Sequence, residues 1–432
     1  MAQLSSSPRR AAPEGTAGAP LQLYAADWVL PAHLPPIRDG VVVVEGPRIA
    51  WVGERREVPS RYLKARIRAF PRSLLLPGWV NSHTHLHLTA ALGRLSTTQD
   101  RAVEWLVAVE QLLASLPPEV VRQSVTAGLD LLLSTGTTTT VHVSPFPAVE
   151  PFLERPLRTV LLHEASGLSR GATAEAVAGA VDWLQGARTL LADAGSDRVH
   201  LGLAVESLAT TNPALLRSVA ELAAAEGVPF SLHLPGSAAE EQFLQFGTGP
   251  FPAWLAARYG RAEAGRSPGR RPAQELAGIG PGLAVLGMPP AAPELELLAE
   301  QGWSVVYCPG SRRHLGQPVP TLLSFVRAGG RLVLGTESLA SNVGLTMLRE
   351  LRLAAADGPE LSPDYWLRAA TLGGAEALGL GACTGSLEPG KAADLQVLGP
   401  LPDGAKEPWG PLLAAPLGVR LLLAEGEEVR IR

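Results

Sequence analysis

Residues 77–87 read PGWVNSHTHLH and directly follow the aliphatic run LLL at 74–76. Three histidines, His83, His85 and His87, stand at every second position. In an extended chain, side chains two apart project from one face, so His83 and His85 can converge on one ion. The alternative is a polar strand end with no ligand function. His87 shares the parity but falls past the expected end of the strand and reads as structural. The choice depends on what kind of strand this is, and the rest of the chain bears on that.

Short aliphatic or β-branched runs recur through the middle of the chain: SLLLPGWVNSHTH, GTTTTVHVS, RTVLLHEA, VHLGLAVES, VPFSLHL, GLAVLGM, WSVVYCP and RLVLGTE. Helical patterns such as RAVEWLVAVEQLLASL, NPALLRSVAELAAAEG and PELELLAEQG separate most of them. The last two have Pro near the helix start and Gly just past its end. Strands alternating with helices imply a parallel sheet, and eight strands close a barrel. The expected fold class is therefore α/β: a (β/α)8 TIM-like barrel over residues 74–380. The β-rich ends, 21–73 and 381–432, are expected to assemble into one small composite β-sandwich. Residues 1–20 read as a disordered tail. The Gly-, Pro- and Arg-rich segment 260–280 reads as a mobile loop between the fifth and sixth barrel strands.

The chain has 432 residues, 46% hydrophobic and 18% charged, with a net charge of −4. That length supports a large core, and the charge balance gives no reason to expect a nucleic-acid partner. No run reaches the roughly 18 apolar residues of a membrane span, and the arginines near the start lead into no apolar signal segment. Two cysteines, Cys308 and Cys383, give no disulfide framework, which suits the cytoplasm. A small-molecule substrate is the expected partner, and a homodimer remains open.

Barrel active sites sit at the C-terminal ends of the strands. Those ends carry His83, His85, His142, His163, Glu164, Glu206, His233, Cys308 and Glu337, including five of the nine histidines in the chain. Imidazole nitrogens suit zinc or iron. His142 reads as a neutral core histidine, and nothing around Cys308 suggests a nucleophile.

LLPGWVNSHTHLH, STGTTTTVHV, LAAAEGVPFSLHLPGSAAEEQF, WSVVYCPGSRRHLG, LVLGTESLASN and the closing AATLGGAEALGLGACTGSLEPGKAADLQVL resemble the amidohydrolase superfamily from about residue 22 to the end. The likeness is to its chlorohydrolase and aminohydrolase branch, nearest the aminodeoxyfutalosine, adenosine and S-adenosylhomocysteine deaminases. It implies one divalent metal, zinc first and iron second, held by His83, His85, His233 and Glu337. It also implies a metal-activated water as nucleophile, a proton-shuttling glutamate three residues after His233, and a polarising histidine on the sixth strand.

Three positions depart from that pattern. Gly236 stands where the shuttling glutamate belongs, the sixth strand AVLGMPP has no histidine, and Glu337 replaces an aspartate. Glu206, on the fourth strand, is a candidate metal ligand or replacement acid–base group alongside Glu337, with a solvated loop carboxylate as the alternative. On that expectation Glu206→Gln cuts turnover about 10²-fold while leaving the metal in place. Glu164, Arg312 and His314 are candidate substrate contacts, with structural roles as the alternative. The reading is a metal-dependent hydrolase of a non-peptide C–N bond, deaminase-like on a purine-like or other heterocyclic amine. The competing reading is a pseudoenzyme that retains the barrel and binds a small molecule or partner.

Overall fold

The structure, a computed structural model, describes residues 21–95, 101–145, 147–260, 269 and 271–430. The expected disordered tail lies outside the described residues, as does much of the expected mobile loop. The described end of that loop is ordered: residues 272–275 form a short helix, and Ala273, Leu276 and Ile279 are buried.

Fifteen strands among the described residues form two sheets. The first is built from both termini: β1 (Leu21–Val29), β2 (Ile37–Glu45), β3 (Arg48–Glu54), β4 (Arg66–Pro77), β13 (Leu395–Gly399), β14 (Gly418–Ala424) and β15 (Glu427–Glu428). Their order is β15-β14-β13-β4-β1-β2-β3, with β1 and β4 parallel and the other neighbours antiparallel. The termini thus meet in one seven-stranded mixed sheet. Both of its faces are apolar, because successive side chains of β2 point to opposite sides. Val42 and Val44 pack with Tyr24, Leu75 and Leu395, while Val41 and Val43 pack with Leu23, Ala25 and Tyr62.

The second sheet contains β5 (Trp79–Thr84), β6 (Thr137–Ser144), β7 (Arg158–Ala165), β8 (Val199–Ser207), β9 (Phe230–His233), β10 (Leu283–Leu286), β11 (Ser304–Tyr307) and β12 (Arg331–Leu334). All neighbours are parallel and in chain order. Alternation sorts the side chains into two layers. Val80, Val141, Val143, Val160, Leu162, Val285, Val306 and Val333 fill the barrel. Trp79, Leu161, Leu203, Leu232, Leu286, Val305 and Leu334 face the surrounding helices. The first and last strands meet through a bridge between Thr84 and Glu337. There the Thr336 and Glu337 N–H groups each donate to the His83 carbonyl at 3.2 Å, and the His85 N–H donates to the Glu337 carbonyl at 2.9 Å. Barrel closure therefore places the eighth-strand carboxylate beside the first-strand histidines.

Candidate metal centre

Strict alternation from Trp79, which faces the helices, would also turn His83 outward. The pairing of β5 with β6 shifts register between Trp79 and Val80, and again between Asn81 and Thr84. Irregularities of this kind re-aim side chains at barrel rims. His83 and His85 accordingly reach the barrel mouth, where His233 arrives from the end of β9 and Glu337 from the turn after β12. One ligand atom from each of these four residues lies within 4.8 Å of every other. His83 Nε2 is 2.8 Å from Glu337 Oε2 and 3.1 Å from His233 Nε2. His85 Nε2 lies 3.5 Å from His233 Nε2 and 3.7 Å from Glu337 Oε1. Glu337 adopts the left-handed region with φ +63°, a costly conformation for a glutamate and one that tends to mark functional sites.

The surroundings orient the ligands. His85 Nδ1 faces the Val143 carbonyl at 3.1 Å, and His233 Nδ1 faces the Glu206 carbonyl at 3.0 Å. Each ring is thereby fixed to donate from Nδ1 and to turn the Nε2 lone pair toward the cluster, as metal-bound histidines do. Burial lowers the His83 and His85 imidazoles, favouring the neutral form that ligates. Burial also opposes ionisation of Glu337, but His83 and His85 hold it well below the usual carboxylate range. Burial likewise works against His233, yet contact with Glu337 pushes it up to about 9. A divalent cation would take over from that proton as the partner of the carboxylate. Three neutral imidazole nitrogens and one carboxylate form a donor set that fits zinc.

The cluster opens onto a cavity of about 520 Å³ whose lining includes His85, His233, Glu337, Glu164, Glu206 and Glu240. That size suits a small molecule. The helix Ala102–Ser115 contributes Trp105, Leu106, Val109 and Leu113 to the wall, with Trp254 beside it. Glu164 Oε1 is buried without a hydrogen-bond partner. Burial, reinforced by the Glu206 charge, pushes its carboxyl up to about 8. The Glu206 carboxylate is engaged in a two-pronged pair with Arg258, at 2.9 and 3.0 Å.

Arg312 lines the cavity, but its guanidinium is committed to the Tyr307 hydroxyl at 2.8 Å, the Gln317 carbonyl at 2.7 Å and Asp357 at 2.9 Å. His314 is half-buried and does not line the cavity. His142 is a buried acceptor: the Leu86 N–H donates to its Nδ1 at 3.1 Å, and burial holds it well below its ordinary value. His163 stacks on Trp183. Burial pushes the Cys308 thiol well above its ordinary value, the opposite of an activated nucleophile.

Residues 74–416 match the model of the Amidohydrolase family. The chain belongs to this family. It is 28% identical over 383 residues to a 5-methylthioadenosine/S-adenosylhomocysteine deaminase of Moorella thermoacetica, covering 85% of this chain and 83% of the relative. Among solved structures it is similar to a zinc-bound adenosine deaminase of Xanthomonas campestris, with 26% identity, a TM-score of 0.77, and coverage of 94% of this chain and 92% of the other. The fold also matches the Helicobacter pylori aminofutalosine deaminase in complex with methylthio-coformycin, with 22% identity, a TM-score of 0.81, and coverage of 95% and 100%.

In this amidohydrolase the backbone segments that carry the two departures, after strands five and six, lie against each other. The Leu234 N–H donates to the Val285 carbonyl at 2.9 Å, and the Met288 N–H donates to the Pro235 carbonyl at 2.7 Å. The loop after β9 is thus stitched along the end of β10. Sequence reasoning missed Arg258, Glu240 and the apolar wall. Arg258 carries no local signal for its pairing with Glu206. Glu240 had one: Ser237-Ala-Ala-Glu240 is a helix-start pattern that places a carboxylate at the third helical position.

Proposed function

We propose that this amidohydrolase is a hydrolytic deaminase of adenosine-like nucleosides, using one divalent ion, zinc before iron. The observation that carries the reading is the convergence of three imidazole Nε2 atoms and the Glu337 carboxylate at a cavity with an apolar wall. His83, His85, His233 and Glu337 would hold the ion, which when bound supplies the positive charge that makes water a nucleophile at neutral pH. Glu337, ionised and facing the cluster, accepts a proton. Glu164 presents a protonated carboxyl to a ring nitrogen or ribose hydroxyl of the substrate. Glu206, tied to Arg258, lines the cavity and fixes His233 through its backbone carbonyl. Trp105, Leu106, Val109 and Leu113 form a surface for an apolar 5′ substituent, consistent with thioether nucleosides of the kind named for the Moorella thermoacetica relative.

Arg312 acts in this reading as a brace for the seventh loop, and His314 stands apart from the substrate. The retained ligand set and the deaminase relatives favour a hydrolase over a pseudoenzyme. The test is ammonia release from 5′-methylthioadenosine, S-adenosylhomocysteine and adenosine by zinc-loaded protein. Turnover of at least one is expected. Metal-loaded protein that releases ammonia from none of them would overturn the nucleoside reading.

A further inference from the structure

The helix Ala238–Phe246 begins immediately after Gly236 and Ser237. Ser237 Oγ caps it, accepting the Glu240 N–H at 3.1 Å. Glu240 turns back toward the helix start, and its Oε2 accepts the Gly236 N–H at 2.8 Å. The residue is 6% exposed, its Oε1 is buried without a hydrogen-bond partner, and it lines the cavity that holds His85, His233 and Glu337. A Cβ built on Gly236 would find Glu240 Oε2 at 3.6 Å and nothing nearer. In a glutamate side chain three bonds of roughly 1.2–1.5 Å separate Cβ from the carboxylate oxygens, a span of about 3–4 Å. The nearer Glu240 oxygen therefore lies at the distance from this Cβ that the carboxylate oxygens of a glutamate at position 236 would reach.

We propose that Glu240, delivered from the helix instead of the strand, is the proton-carrying catalytic carboxylate of the deamination, in place of the side chain that Gly236 lacks. This rests on the deaminase reading above. In that reaction water's oxygen bonds to the ring carbon carrying the amine, and the carbon–nitrogen bond breaks. Of water's two protons, one ends on the neighbouring ring nitrogen and the other leaves on ammonia. Glu240 takes the first from the attacking water and delivers it to the ring nitrogen, returning to its starting state. Glu337 takes the second from the new hydroxyl and passes it to the departing amine. Burial raises the Glu240 carboxyl above its ordinary range, against the Gly236 N–H and the Ser207 hydroxyl, so the group holds a proton more readily than a solvated glutamate does. Glu206 is less suited, because Arg258 engages both of its oxygens. Glu164 faces the cavity from the third barrel strand and is assigned to the substrate.

Helix capping alone would also explain the bond to Gly236, and the experiment separates the two roles. Glutamine serves at the third helical position as glutamate does. Glu240→Gln should therefore keep the metal content and the apoprotein melting temperature of wild type. It should lower kcat by about 10²–10⁴-fold and weaken methylthio-coformycin binding, measured by calorimetry, at least tenfold. Adding Gly236→Glu to that variant should recover at least tenfold of the lost kcat, and Glu164→Gln should act mainly on KM. Glu240→Gln with kcat and inhibitor affinity within threefold of wild type would overturn the proposal and leave a helix cap. Loss of kcat in Glu164→Gln but not in Glu240→Gln would overturn it as well. Wild-type protein that binds zinc yet deaminates no nucleoside would defeat the deaminase reading, and with it this role, before any variant is made.

Discussion

A Cβ at Gly287 would lie 2.5 Å from the Gly236 Cα and 2.6 Å from the Pro235 carbonyl oxygen. The two glycines hold the loop after the fifth barrel strand against the end of the sixth, backbone to backbone. Gly287→Ala should accordingly destabilise the protein by about 1–3 kcal/mol through overpacking, read from urea denaturation. Gly287→His should be worse and should not raise turnover.

Removing one ligand should dismantle the metal centre. In His83→Ala, elemental analysis should find the bound divalent metal lost, since zinc–nitrogen bonds of about 2.0–2.1 Å leave no slack for a missing partner. The increase in melting temperature that zinc gives the wild type should vanish with it.

The pair between Glu206 and Arg258 lowers the effect expected for Glu206→Gln. Both carboxylate oxygens face the guanidinium, and the pair is partly exposed, with 29% and 28% of the two side chains accessible. Pairs of that kind contribute modestly, and the bond that orients His233 comes from the Glu206 backbone, which the substitution spares. Steady-state kinetics should therefore show a loss in kcat below about tenfold, well short of the 10²-fold expected of a general acid.

Glu350 should impose a pH dependence on the stability of the apoprotein. It is fully buried, with Oε2 accepting the Gly310 N–H at 2.6 Å and Oε1 accepting Asn342 Nδ2 at 3.0 Å. Burial, opposed by these bonds, pushes its carboxyl up to about 7 from an ordinary 4.5. Between those values the native state keeps a proton that the unfolded chain releases, so stability falls as pH rises through the window. The loss amounts to about 3 kcal/mol at most. Glu350→Gln should flatten this slope in denaturant titrations at pH 5 and pH 8.

The sequence by itself determined the eight alternating strand and helix units and the meeting of the two β-rich ends, and its family resemblance singled out the four residues that converge as a candidate metal site. The fold readings and the pairing of His83 with His85 rest on short-range regularities: recurring aliphatic and β-branched runs, Pro and Gly at helix ends, and two histidines one residue apart at a strand end. Tertiary structure decided the rest. Register shifts in β5, not parity, turn His83 and His85 into the mouth. Glu206 looked like a free carboxylate until the fold brought Arg258, 52 residues away, onto it. Arg312 looked like a substrate ligand until Asp357, 45 residues on, took its guanidinium. The gap at Gly236 took on meaning only once the following helix carried Glu240 back to it. Which residues can ligate a metal follows from their chemistry and local spacing. Which charges remain free to act depends on partners that the chain brings together only by folding.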